Sequence, residues 1–156
     1  MKTITLCALV LFTMVACKKN SNIENDSNIK NSTNSEGNKT SVLETGCYEY
    51  SGNGSLIDME ITAINDNVTA NLNFAFAKKD KNQGKFVGKL LGDKIIGTYT
   101  FMSEGKESSR EVAFMFKDNQ LIEGFGALNE DGTKFKEIKT IQYQSQMPLV
   151  KVDCHD

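Results

Sequence analysis

The sequence predicts an all-β fold, a single antiparallel up-and-down barrel of about eight strands, with a flattened two-sheet sandwich as the alternative. Three observations predict it. From Gly46 onward apolar residues recur at every second position, the period of a half-buried strand. Short turn signatures rich in Gly, Asn and Asp cut this pattern into pieces of similar length, and no stretch after the first 16 residues has convincing helical periodicity. Cys47 and Cys154 stand near the two ends of the patterned stretch, where a bond between them would tie the ends together.

In chain order the pattern places strands at 47–51, 55–64, 67–77, 84–91, 94–102, 109–117, 120–128 and 133–144, with a closing segment at 149–153. Within the second, Ile57, Met59, Ile61 and Ala63 alternate with polar residues, and within the third Val68, Ala70, Leu72, Phe74 and Phe76 do the same. A two-residue turn at Asn65-Asp66 pairs Ala63 with Val68, Ile61 with Ala70 and Ile57 with Phe74, so that all apolar residues share a face. A turn at Gly92-Asp93 sets Leu90 opposite Ile95, Gly88 opposite Gly97 and Phe86 opposite Tyr99. One at Asp118-Asn119 sets Phe116 opposite Leu121 and Val112 opposite Phe125. The facing Gly88 and Gly97 let the sheet bend sharply or admit a bulky neighbour.

The first 45 residues are of another kind. Lys2 gives a positive start, Ile4 to Val15 is an almost uncharged apolar run, and Ala16-Cys17 closes it. The run falls short of the roughly 20 residues a permanent membrane helix needs and fits a cleavable export signal. Met14-Val15-Ala16-Cys17 resembles the lipobox of bacterial lipoproteins, which implies cleavage before Cys17, lipidation of its thiol and attachment to a membrane through acyl chains such as palmitate. From Lys18 to Thr45 the chain is rich in Asn, Ser, Thr, Glu and Lys without periodicity. It has too little apolar surface to offset its ordering entropy and reads as a disordered tether, spanning about 30 Å as a flexible coil. The expected organisation is therefore a signal peptide over 1–16, a lipidated Cys and tether over 17–45, and one barrel domain over 46–156.

An exported chain keeps its thiols in an oxidising compartment. Cys7 leaves with the signal and Cys17 takes lipid, so Cys47 and Cys154 remain and are expected to form a disulfide. The formal charge of −2 is carried by interleaved Lys and acids rather than by a basic stripe, which argues against nucleic acid as a partner.

The stretch from Gly46 to Cys154 also resembles small bacterial lipoproteins with calycin-like barrels, and more narrowly uncharacterised lipoproteins of the Bacteroidetes. The resemblance is carried by Gly46-Cys47-Tyr48-Glu49-Tyr50, the run from Gly97 to Gly105, Ser109-Arg110-Glu111-Val112-Ala113-Phe114, and Lys151-Val152-Asp153-Cys154. It implies a barrel fold and a place in the bacterial cell envelope, with the outer membrane expected and its periplasmic or surface side open. It implies no activity.

Unexplained polar content gathers in Ser103 to Glu111. If Phe101 pairs with Arg110, Arg110 faces inward beside Tyr99, Phe101, Val112 and Phe114. Arg110 is the one arginine among seventeen lysines. Its planar fork suits a carboxylate or other anion, with Glu104 and Glu111 as nearest acids. An ion pair with Glu104, or a stack on Phe101, would give it a purely structural role at the barrel end. Glu123 alternates in step with Leu121 and Phe125 and so points inward, where desolvation would favour its neutral form. Tyr48, Tyr50, Tyr99 and Tyr143 share inward parity and are candidates for a cavity lining or for core. The candidate binding set is thus Arg110, Glu104, Glu111, Tyr99, Phe101, Ser103 and Glu123.

Catalytic signatures are missing. The single His, His155, lies beside a Cys expected to be oxidised, and there is no phosphate loop, dinucleotide fingerprint or metal motif. No enzyme activity, cofactor or metal is expected. The leading expectation is a lipid-anchored, non-catalytic envelope module binding a small apolar or anionic ligand near Arg110. The rival is a protein-interaction or hydrolase-inhibitor lipoprotein that uses the 103–109 loop, and a purely structural or assembly role comes third.

Overall fold

The computed structural model describes residues 42–154. The signal segment, Cys17, the tether up to residue 41 and His155 lie outside the described residues. Nine strands follow in order: β1 Gly46–Gly52, β2 Ser55–Ile64, β3 Val68–Ala75, β4 Asn82–Leu91, β5 Lys94–Ser103, β6 Lys106–Lys117, β7 Gln120–Phe125, β8 Gln142–Tyr143 and β9 Leu149–Val152. Each of β1 to β7 pairs antiparallel with the next, and β9 pairs with both β1 and β7. The ring therefore closes as an up-and-down antiparallel barrel of eight strands, with β8 added to β7 as an extra strand. Closure leaves the seven hairpin-linked strands without a free sheet edge where β9 is inserted.

Local chemistry explains the regularity. Asn53-Gly54, Glu104-Gly105 and Asp118-Asn119 each place two successive residues at positive φ, the backbone of the hairpin turn whose twist matches that of paired strands. Along β2 and β3 buried inward residues recur at every second position, with half-buried or exposed residues between them. Their outward neighbours pair across the strands, Asn71 to Glu60 at 2.8 Å and Asn73 to Asp58 at 2.7 Å. Inside, Tyr48, Phe74, Phe86, Tyr99 and Phe114 are the largest fully buried side chains. A Cβ on Gly88 would stand 2.4 Å from the Phe86 ring and one on Gly97 2.2 Å from Gly88 Cα, so this glycine pair admits Phe86 and brings β4 and β5 together.

The ends meet as expected. Cys47 and Cys154 are joined, with 5.2 Å between their Cα atoms and 107 residues of separation. The bond lies beside the β1–β9 pairing, where Cys47 is opposite Val152. Leu43 is buried in the core and Tyr48 Oη donates to the Glu44 carbonyl oxygen, so ordered packing begins ahead of Gly46.

Four expected details are corrected. The 133–144 segment is not a strand of the ring; only Gln142–Tyr143 pairs with β7, and β9 is the eighth stave. Its local alternation is real but serves a small hairpin. Leu128 bridges Phe135, Lys136 N–H donates to Ala127, and Asn129 Oδ1 accepts from the Thr133 and Lys134 amides. The β2–β3 loop holds three residues rather than two, and a bulge between Ile61 and Ala63 pairs Ala63 with Thr69 and Ile64 with Val68. Arg110 lies opposite Tyr99, and Phe101 opposite Ser108, because the tight Glu104-Gly105 turn shortens the loop. That error is an even number of residues, so the inward parity of Arg110 survives. Pairing of β6 with β7 stops at Ala113 and Gly124, so Val112 has no partner in Phe125.

Candidate functional site

That early stop creates the site. Beyond Ala113 the preceding residues of β6 lose β7 as a neighbour, and the Glu111 N–H is met instead by the Thr133 carbonyl oxygen at 2.6 Å. The 126–136 hairpin therefore docks where the ladder would have continued. Gly124 permits the covering: a Cβ there would lie 2.5 Å from Ile141 and 2.7 Å from the Tyr143 ring, which pack close against β7. Between the parted strands and this covering segment lies a cavity of about 290 Å³. Arg110, Glu111 and Glu123 supply its polar groups, and its apolar walls come from Phe76, Val112, Phe125, Leu128, Phe135 and Met147.

Arg110 is held by rings. Its guanidinium carbon lies 5.3 Å from the Phe74 ring centroid, 5.6 Å from Phe101 and 5.9 Å from Tyr99. The rings themselves stack in series, Phe74 with Phe76 at 5.7 Å and Tyr99 with Phe101 at 4.7 Å. Such contacts attract a cation while leaving its N–H donors unused. The Arg110 Nε is buried without a hydrogen-bond partner, as is the Tyr99 hydroxyl. Burial pushes that hydroxyl up to about 12, against the opposing pull of the Arg110 charge.

Glu123, opposite Phe114, is 9% exposed. Desolvation raises its carboxyl from 4.5 to about 7, with the positive charge of Arg110 acting in the opposite sense. Attraction between the two groups does not amount to an ion pair: the described residues hold none between Arg110 and any acid. Glu111 is engaged elsewhere, its Oε2 accepting the Phe135 N–H at 2.8 Å and so fastening the covering hairpin to β6.

Of the residues singled out in the sequence, Arg110, Glu111 and Glu123 come together at this cavity. Tyr99 and Phe101 stand behind it, against the guanidinium. Ser103 and Glu104 do not line it; they belong to the exposed tip of the β5–β6 hairpin, and the ion pair between Glu104 and Arg110 is absent among the described residues. Of the four tyrosines, three take the core role and none lines this cavity. Tyr48 and Tyr99 are core, Tyr50 packs against it, and Tyr143 sits in β8 outside the eight-strand ring. Sequence reading missed Leu128, Phe135 and Met147, which a strand over 133–144 could not have brought to the mouth. Phe125 carried a signal, its parity with Glu123, that the broken ladder turns into a cavity wall.

A second cavity, of about 210 Å³, lies by the disulfide, with Glu49, Asp58, Glu60 and Asp153 among its lining residues. Among the described residues no group of three or more His, Cys, Asp and Glu side chains is placed to hold a metal ion. No protein-family model, curated protein or solved structure matches this chain.

Proposed function

We propose that this protein is a lipid-anchored module of the bacterial cell envelope whose barrel holds a small ligand, without catalysis, in the cavity beside Arg110 and Glu123. The observation that carries the binding role is the convergence on a largely apolar cavity of a half-buried cation, stacked on rings but with its Nε lacking a hydrogen-bond partner, and a buried carboxyl group that no described hydrogen bond or ion pair engages. Buried polar groups are ordinarily satisfied, and convergent polar groups in an apolar concavity mark a ligand site. The size supports one small ligand: about 290 Å³ is roughly twice the ~150 Å³ that accepts benzene.

Anchoring rests on the lipobox resemblance around Cys17 and on the disulfide, which suits an oxidising compartment. Native mass spectrometry of the protein recovered from its own cell envelope tests the binding role. A retained small molecule that is lost in Arg110→Ala is the expected result, and a barrel that never carries one, in either form, overturns it. Labelled palmitate incorporated by wild type and lost in Cys17→Ser is the expected result for the anchor.

One observation favours a second reading, a protein-interaction role. Lys106 to Ser109 are all exposed and precede the stretch of β6 that pairs with β7, leaving the tip of the β5–β6 hairpin free to meet a partner. Cross-linking in intact envelopes with Glu104→Lys separates the two, since only the interaction reading expects a protein partner to be lost.

A further inference from the structure

The cavity offers unlike groups from its two strands. β6 presents a cation with N–H donors, and β7 presents a carboxyl group that is nine-tenths buried and that no described hydrogen bond or ion pair fixes. A ligand head seated here meets both. An ammonium group is repelled by Arg110. A neutral amide accepts from Arg110 and gives its own N–H to Glu123, most strongly when Glu123 is ionised. A carboxylate accepts from Arg110 and from Glu123 together, provided Glu123 carries a proton, and the pair then bears the net positive charge that complements an anion.

The surroundings choose between the last two. Facing Glu123 from β6 are Phe114, Arg110 and Glu111, and the Glu111 carboxylate is committed to the Phe135 amide. From the β3–β4 connection comes Phe76, with Lys79 Nζ on the ring at 6.0 Å from its centroid. The 126–136 hairpin contributes Leu128 and Phe135, and the segment before β9 contributes Met147, all without charge. Apolar walls on these sides penalise an ionised carboxyl and leave Arg110 as the one cation lining the cavity among the described residues.

We propose that the cavity captures a small monocarboxylate with an apolar body, its head seated between Arg110 and Glu123, and that Glu123 carries a proton in the complex, taken up from solvent wherever the empty site has lost it. This rests on reading the cavity as a ligand site. No covalent bond of the ligand changes; the one bond formed is the Glu123 O–H, made with a proton from solvent and broken when that proton returns to solvent on release. Burial already holds Glu123 near neutrality at about 7, and an adjacent anion raises it further. Capture is then strong below neutral pH and weakens about tenfold per pH unit above it, the linkage expected for uptake of one proton.

Phenylacetate, phenylacetamide and phenethylamine share a body and differ in head group. The test is calorimetric titration of the full chain with each, across about pH 6 to 9 and in two buffers of different ionisation heat. Phenylacetate is expected to bind tightest, with close to one proton taken up per molecule above neutral pH. Glu123→Gln is expected to keep phenylacetate binding and lose its pH dependence, because the amide N–H replaces the carboxyl O–H. Arg110→Gln is expected to lose about a hundredfold in phenylacetate affinity, while Arg110→Lys, with near-ultraviolet circular dichroism unchanged, recovers part of it. Phenylacetate binding that is flat with pH, or phenylacetamide bound tighter throughout, overturns the proton-coupled carboxylate and leaves a ligand cavity standing. Binding of none of the three overturns both.

Discussion

From β1 to β5 each strand pair holds seven to nine residue pairs, whereas β6 and β7 share five and then part. In the first region inward side chains fill the interior, with Ile57, Met59, Leu72 and Phe86 at 1% exposure or less. An eight-stranded barrel is about wide enough to be filled by its own side chains, so a regular ring has little room for a ligand. In the second region the ladder fails after Ala113 and Gly124, the 126–136 hairpin takes over the backbone hydrogen bonding, and a cavity appears. A site on this fold is obtained by departing from the pattern that makes the fold.

If the regular region carries the stability, changes there should cost most. Cutting the tie between the chain ends with Cys47→Ala and Cys154→Ala is expected to cost about 4 kcal/mol, by restoring loop entropy to the unfolded chain, and urea midpoints of the oxidised and cysteine-free proteins measure it. Truncating Phe86, fully buried over Gly88, is expected to cost about 3–5 kcal/mol. The matching truncation in the second region, Phe125→Ala at a residue 47% exposed, is expected to cost less than about 1 kcal/mol. Equal costs for the two phenylalanines would erase the contrast between the regions.

The second region should also show itself in pH dependence. Glu123 binds its proton more tightly folded than unfolded, so its contribution is fully present below about pH 4.5 and is lost as pH rises through about 7. The shift corresponds to about 3 kcal/mol. Glu123→Gln removes this loss, so the variant gains on wild type between pH 5 and pH 8, read from denaturant midpoints at each pH. A difference that grows in the opposite direction would mean Glu123 is stabilised as the anion.

Most of the barrel was legible because a period of two and turn residues with positive φ report local geometry directly. The β4–β5 register around Gly88 and Gly97 and the inward parity of Arg110 and Glu123 follow from that alone. What was hidden depends on contacts distant in sequence. Alternation across 133–137 announces an extended chain but does not name its partner, which is residues 127–129 rather than the ring. Leu149 and Val150 complete the closure by pairing with Leu121 and Gln120, a choice no local pattern encodes. The cavity walls at Leu128, Phe135 and Met147 depended on those choices, so the polar half of the site could be read and the apolar half could not.

Glu111 joins the two regions, and its removal gives the smallest expected effect. Its backbone N–H and its carboxylate both bond the covering hairpin, the first to the Thr133 carbonyl oxygen and the second to the Phe135 amide. Glu111→Ala keeps the backbone bond and leaves the Phe135 N–H without its charged acceptor. A hydrogen bond to a charged group contributes about 1.5–3 kcal/mol, and partial exposure to water at the cavity mouth reduces the net cost to about 1 kcal/mol. Because the hairpin lies outside the closed ring, the loss should fall on local opening rather than on global unfolding. Amide exchange at Phe135 and Lys136 is expected to speed up several-fold while exchange in β2 and β3 stays unchanged. Exchange that accelerates equally in both places would show that the covering hairpin and the barrel unfold as one unit, and the division between a rigid ring and a separately opening mouth would be lost.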